Sequence, residues 1–217
     1  MKIILALDTS SREGIIALKT PAALFESKNN EVQRHNAFLL PAIQQLLNEA
    51  NLALSDLDCI ACSIGPGSFV GTRLAVSVAQ GLAYALKKPV IPLNHLQVMA
   101  HAAKRQYGFK EVIVALDAKM QGYYFLDLQQ KTHFFRLSDP HPDCPVTAQK
   151  IGDAWPLLGM TDALIDVEYK GSDLIQLAEQ NLEGILKDPS QLLPLYLNDA
   201  DNWKKISQPL LPPEKAQ

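Results

Sequence analysis

Two short stretches carry residue types suited to phosphate chemistry. The first is Asp8-Thr9-Ser10-Ser11, which closes the apolar run that begins at Ile3. An aspartate at the end of a buried strand can hold hydrated Mg²⁺, and neighbouring hydroxyls can touch phosphate. The same residues also suit an Asx-type turn, in which Asp8 bonds its own backbone. The second stretch is Ser63-Ile64-Gly65-Pro66-Gly67-Ser68-Phe69-Val70-Gly71-Thr72-Arg73. Here a buried strand feeds a glycine-rich turn that opens a helix. Gly65 and Gly67 allow close approach to the backbone, and free N–H groups at a helix start can hold a phosphate. No Gly-Lys-Ser/Thr follows, so this is not a Walker A loop. A tight turn that packs helix on sheet accounts for the same glycines. Asp8, Thr9, Ser10, Gly65, Gly67 and Ser68 are therefore candidates for a vestigial nucleotide or phosphate site.

Other chemistry-bearing residues assemble less well. Cys59 and Cys62 form a CxxC, and His141 and Cys144 lie further on. Residues three apart on a strand point to opposite faces, so the two thiols cannot share a metal and are expected to be buried and inert. The histidines are His35, His95, His101, His133 and His141. None belongs to an HExxH, and His95 and His101 are spaced awkwardly for a shared ion. A structural or surface role is expected for each. No G-x-S-x-G elbow is present. We expect no catalytic residue and no metal site.

The elements that must position these residues follow from periodicity. Ile3–Asp8, Gly14–Leu18, Cys59–Ile64 and Val90–Leu93 read as strands. Asn36–Ala50, Ser68–Leu86 and His95–Lys104 read as helices. Lys87-Lys88-Pro89 ends the second of these. The pattern then restarts. Ala6-Leu7-Asp8 followed by Gly14-Ile15-Ile16-Ala17-Leu18 is echoed by Ala115-Leu116-Asp117 followed by Gly122-Tyr123-Tyr124-Phe125-Leu126. Asp117 is followed by Ala118 and Lys119 and so lacks the hydroxyl pair. The repeat predicts two related lobes with a cleft between them, residues 1–107 and 108–217. In the second lobe, Ser138–Val146 reads as a loop, and a helix capped by Ser172 or Asp173 is expected to run to about Lys187. Strands alternating with helices and hairpins give an α/β class with mixed sheets flanked by helices.

Composition narrows the partners. The chain has 217 residues, 47% hydrophobic and 20% charged, which excludes a disordered chain. Lys and Arg number 20 against 23 Asp and Glu, so the basic excess of a nucleic-acid binder is missing. Three cysteines do not describe a disulfide scaffold. No signal peptide is legible, and the longest uncharged helical run, Leu74–Leu86, is short for a bilayer. A cytoplasmic protein without membrane contact is expected. The helices at 36–50 and 68–86 carry broad apolar surfaces. Arg73, Ser77, Gln80 and Tyr84 share one stripe of the second. Either the sheet buries the apolar surfaces completely, or an exposed remainder meets another subunit.

Several of these stretches together resemble the TsaB family. They are Ile4-Leu5-Ala6-Leu7-Asp8-Thr9-Ser10, Arg34-His35-Asn36, Gly65–Arg73 with Ala79-Gln80-Gly81-Leu82-Ala83, Ala115–Met120, Pro194-Leu195-Tyr196-Leu197 and Trp203-Lys204-Lys205. They span nearly the whole chain in order. The resemblance implies an actin-like ATPase (ribonuclease H-like) fold of the sugar-kinase and Hsp70 class. It implies a role, with the catalytic paralogue TsaD, the ATPase TsaE and a threonylcarbamoyl-adenylate synthase, in forming N6-threonylcarbamoyladenosine beside the anticodon of tRNAs that read A-starting codons. Pairing with TsaD through N-terminal helices is implied, with Phe38, Leu39, Arg73, Ser77, Gln80 and Tyr84 as interface candidates. The catalytic paralogue holds its metal with His-x-x-x-His. Here Asn94-His95-Leu96-Gln97-Val98-Met99 places Met99, a poor ligand for such a cation, at the second position.

The expected function is that of a non-catalytic scaffold and activator. No tightly bound cofactor is expected, and ATP only weakly or through the complex. tRNA is expected to be contacted mainly through the partner, and the free chain to form a homodimer. The alternatives are an independent ATP-dependent phosphotransferase anchored on Asp8, and a peptidase, for which no nucleophile–base pair or metal site is legible.

Overall fold

The computed structural model describes residues 2–29, 35–119, 121–161 and 165–197. Arg34, Met120 and the Trp203-Lys204-Lys205 stretch lie outside the described residues. Two sheets are built on one plan. The first contains β1 (Ile4–Asp8), β2 (Gly14–Lys19), β3 (Leu24–Asn29), β4 (Cys59–Ser63) and β5 (Val90–Leu93), in the order β3-β2-β1-β4-β5. β1 runs antiparallel to β2, with Asp8 opposite Ile15, and parallel to β4; β4 runs parallel to β5. The second contains β6 (Val112–Asp117), β7 (Gly122–Leu126), β8 (Thr132–Arg136) and β9 (Gln149–Ile151), in the order β8-β7-β6-β9. β6 runs antiparallel to β7, with Asp117 opposite Tyr123, and parallel to β9. The sequence repeat is thus a repeat of topology: a three-strand meander with a parallel strand added beside its first member.

The first sheet is buried on both faces, which is why β1, β2 and β4 read as continuous apolar runs. Leu5, Leu7, Ile16, Leu18, Ile60 and Cys62 meet α1 (His35–Glu49) and α2 (Phe69–Leu86) on one face. Ile4, Ala6, Ile15, Ala17, Cys59 and Ala61 meet α3 (His95–Tyr107) and α4 (Gly171–Gln180) on the other. Cys59 and Cys62 therefore lie on opposite faces, and burial pushes the Cys59 thiol up to about 11 and the Cys62 thiol well above its usual value. Among the described residues α2 alone has the length and composition of a membrane span. Gly71, Thr72, Ala75, Val76, Ala79 and Ala83 nevertheless bury one side of it in the protein.

Helix α3 has two apolar faces. Val98 and Ala102 pack on the first sheet, while Leu96, Ala100 and Ala103 pack on Val112, Val114, Leu126 and Ile151 of the second. It is the wedge between the sheets. Among the described residues no α-helix covers the far face of the second sheet. Ile113, Ala115, Tyr123 and Phe125 meet Ala148, Ala154 and Trp155, which belong to the segment following the expected 138–146 loop.

The remaining differences from expectation have local causes. The edge strands β3 and β8 are half-exposed and polar, so they carry no apolar run. α3 continues past Lys104 to Tyr107 and stops at Gly108, whose φ of 71° terminates it. α4 is shorter than expected, and neither Ser172 nor Asp173 is its N-cap. Asp173 sits in the first turn, accepts a bond from the Lys170 N–H (2.8 Å) and holds Arg105 (2.6 Å to Nε). The chain leaves the helix after Gln180 because Leu186 pairs with Val90 and extends the first sheet's edge.

Candidate functional site

Strands β1, β4 and β5 are parallel, so their C-terminal ends point to one edge of the sheet. Asp8 and Ser63 end two of them and His95 lies just beyond the third. Asp8 is fully buried and both carboxylate oxygens are engaged. Oδ1 accepts bonds from the Ser10 N–H (2.7 Å) and the Ser10 hydroxyl, and Oδ2 meets His95 Nδ1 at 3.0 Å. Burial raises the carboxyl, but the His95 charge and the hydrogen bonds from His95 and Ser10 outweigh it and hold the group below its ordinary value. Ser10 Oγ lies 2.8 Å from Ser63 Oγ. The Tyr169 ring stands edge-on to His95, and its hydroxyl lies 2.7 Å from Ser11 Oγ. Burial, then the Asp8 charge, pushes that phenol well above its usual value.

The Gly-rich loop closes onto this cluster. Ser68 caps α2, its Oγ accepting the Gly71 N–H (3.2 Å), while the Ser68 N–H donates to the Ser10 carbonyl (2.6 Å). Thr9 Oγ1 donates to the Gly71 carbonyl (2.7 Å). A Cβ on Gly67 would overlap the Ser10 carbonyl oxygen, and one on Gly71 that of Thr9. These glycines admit the protein's own backbone. Gly65, with φ of 87°, makes the turn, and its carbonyl accepts the His95 N–H (2.8 Å). Thr72 Oγ1, which lies against Gly65, is the buried side-chain oxygen left without a partner among the described residues.

Asp8, Thr9, Ser10, Gly65, Gly67 and Ser68 are thus brought together as expected, but as one bonded cluster. As a cradle for Mg²⁺ and nucleotide phosphate they are already engaged by the chain itself: Asp8 is fully buried with a hydrogen-bonding partner on each oxygen, and the Ser68 N–H binds the Ser10 carbonyl. Positions 95 and 99 do not fit a metal pair, since His95 turns to Asp8 and Met99 packs between α3 and the second sheet. Sequence reasoning missed the role of His95, 87 positions from Asp8. The legible signal was its place directly after a strand parallel to β1 and β4.

The interface candidates separate. Tyr84 is 81% exposed, Ser77 is exposed and Phe38 is half-buried. Leu39 faces the sheet, fully buried, and cannot reach a partner, a correction to its expected role. Gln80 is half-buried, and its amide donates to the Pro189 (3.3 Å) and Leu192 (2.8 Å) carbonyls, tying residues 189–192 to α2. The Arg73 guanidinium lies 3.1 Å over the Phe69 ring and 5.2 Å from that of Tyr196. Phe69 and Val70, at 66% and 73% exposed, were not among the candidates; they open the same helix and face solvent.

The family model for TsaD, tRNA N6-adenosine threonylcarbamoyltransferase, matches residues 28–137. The tRNA threonylcarbamoyladenosine biosynthesis protein TsaB of Escherichia coli (strain K12) is 30% identical, in an alignment covering 94% of this chain and 97% of that protein. The chain belongs to the TsaB family. The TsaB of Buchnera aphidicola subsp. Schizaphis graminum is 35% identical over 57% of this chain and 59% of its own length. The structure of YeaZ from Pseudomonas aeruginosa superposes with a TM-score of 0.78 at 32% identity, covering 91% of this chain and 100% of that one. With two mixed sheets and flanking helices, this TsaB-family chain has the actin-like ATPase fold.

Proposed function

We propose that this chain is a non-catalytic subunit in the formation of N6-threonylcarbamoyladenosine in tRNA, docking a TsaD-type catalytic paralogue through α1 and α2, with a TsaE-type ATPase joining the pair. The observation that carries this reading is the exposed apolar side of α2: Phe69, Val70 and Tyr84 all face solvent, with Leu40 of α1 exposed as well. Both helices cover the same face of the first sheet. Large apolar side chains exposed along one helix suit an interaction face. The TsaD family model spans both helices, so a TsaD-type partner carries their counterparts and the contact is a helix pair against a helix pair. The same self-likeness lets the free chain form an isologous homodimer.

The remaining roles rest on charge and packing. The chain holds no nucleotide tightly at its own loop, because backbone groups fill the cradle, and ATP acts in the complex. The net charge of -3 leaves tRNA contact mainly to the partner. The protein works in the cytoplasm, where its tRNA substrate resides. The phosphotransferase alternative is weaker, since Asp8 is fully buried and each of its oxygens already has a partner within the chain.

Reconstitution tests this reading. A TsaD-type protein, a TsaE-type protein and a threonylcarbamoyl-adenylate synthase are expected to modify tRNA only when this chain is added. Tyr84→Arg is expected to abolish pairing with the TsaD-type protein while leaving the circular dichroism of the chain unchanged. Equal modification with the chain omitted overturns the proposal.

A further inference from the structure

We propose that the Asp8–Ser11 turn and the Gly-rich loop, a phosphate cradle in form, act here as an internal clamp that presets the first turn of α2 for docking, with the Thr9 hydroxyl as its positioning group. The inference rests on the docking role just proposed and concerns how the docking face is held. Three contacts define the clamp. The Ser10 carbonyl accepts the Ser68 N–H at the cap, the Thr9 hydroxyl donates to the Gly71 carbonyl, and Gly67 and Gly71 lie against the backbone of Ser10 and Thr9. Each reaches the turn of the helix that carries Phe69, Val70 and Arg73.

The clamp is itself anchored. Asp8 binds the Ser10 N–H and hydroxyl on one oxygen and His95 on the other, and Ser10 meets Ser63. The β1–β2 turn is therefore tied to β4 and to the start of α3, and α2 is tied to the turn. A helix end that would fray in isolation is fixed from the side. Docking a fixed surface avoids the ordering cost that a loose one incurs on binding. The groups that would approach a phosphate in a nucleotide-binding relative of this fold are directed here at the helix that meets the partner.

Thr9→Val separates this role from folding. Valine keeps the branching of threonine and puts in place of the hydroxyl a methyl that cannot donate and must draw back from the Gly71 carbonyl, which remains within the helix, where the Ala75 N–H can satisfy it. Thr9→Ser keeps the hydroxyl and serves as the rescue. Two measurements are made on the full chain: hydrogen exchange of the α2 amides, without partner, and calorimetric affinity for a TsaD-type protein. Expected for Thr9→Val are faster exchange confined to the first turns of α2 and affinity weaker by roughly five- to tenfold, the equivalent of one buried hydrogen bond. Thr9→Ser is expected to restore both. Unchanged exchange in Thr9→Val overturns the clamp whether or not the partner binds. Faster exchange with unchanged affinity overturns its link to docking. Failure of the unaltered chain to bind overturns the docking role itself, and the exchange result still decides the clamp.

Discussion

The hairpins that open the two sheets share a plan and differ in fate. Each ends its first strand in an aspartate, turns, and returns antiparallel, and in each the parallel neighbour ends near a glycine of positive φ, Gly65 or Gly152. Asp8 is fully buried and meets His95 from another element. Asp117 is half-buried and bonds the Lys119 N–H (2.7 Å) and ammonium (2.5 Å) within its own turn. The difference comes from the element that succeeds each parallel strand. β4 leads into α2 and β5 into α3, whose N-termini close over the first turn, whereas β9 leads into a loop and a short 3-10 turn at Trp155–Leu158. The same local sequence pattern becomes an anchor or a surface turn according to whether helix ends pack on it.

The largest effect is expected at His95. His95→Ala leaves the Asp8 carboxylate buried without its partner, and breaking such a pair costs about 3–5 kcal/mol. Urea unfolding should show that loss, and a cycle with Asp8→Asn should show strong coupling. Independent effects of the two substitutions would mean that the pair is not the anchor. Gly71→Ala comes next. Its methyl must displace the Thr9 backbone, and such overpacking costs about 1–3 kcal/mol. Gly81→Ala, on the open side of the same helix where nothing lies within 4 Å of the added carbon, should be neutral or stabilising by up to about 1 kcal/mol. Similar costs at the two glycines would remove the case for close approach.

Acid sensitivity sharpens the contrast. The Asp8 carboxyl is held below its ordinary value of 3.8 in the folded chain. The unfolded chain binds that proton first, so the contribution of Asp8 to stability is present above its ordinary value and is lost as pH falls through the lower folded one. Thermal melts between pH 5 and about 2 should therefore fall more steeply for the unaltered chain than for Asp8→Asn. Parallel curves would show that Asp8 does not carry the acid response.

These contrasts also show how much the residues disclosed before folding. β1, β2, β4, α2 and β5 were legible because runs such as Ile4–Leu7 and Cys59–Cys62 are buried on both faces, and Lys87-Lys88-Pro89 punctuates the helix end. β3 and β8 were not, because an edge strand with one wet face spells Leu-Phe-Glu-Ser-Lys-Asn or Thr-His-Phe-Phe-Arg. The residues of the cradle were found, but their state was not. That a serine carbonyl and not a ligand meets the Ser68 N–H depends on the 2.6 Å approach of two backbones far apart in sequence. The bonds of Gln80 were hidden for a similar reason: residues 189–192 return from far along the chain to meet it on α2.

The smallest effect is expected at Asp117, and it tests the comparison from the other side. Asp117→Asn keeps an oxygen that can accept the Lys119 N–H and loses only the attraction of an exposed ammonium. The Lys119 hydrogen bond is the main cause holding the Asp117 carboxyl below its usual value, and Lys119 is exposed, so salt screens their attraction. The melting temperature should stay within about 2 °C of the unaltered chain, at low and at high salt. Binding to a TsaD-type protein should not change, because the bonds of Asp117 run to Lys119 of its own turn and to Asp153. A loss at Asp117 approaching that at Asp8 would mean that the second hairpin also anchors the fold, and that burial by helix ends is not what distinguishes the two.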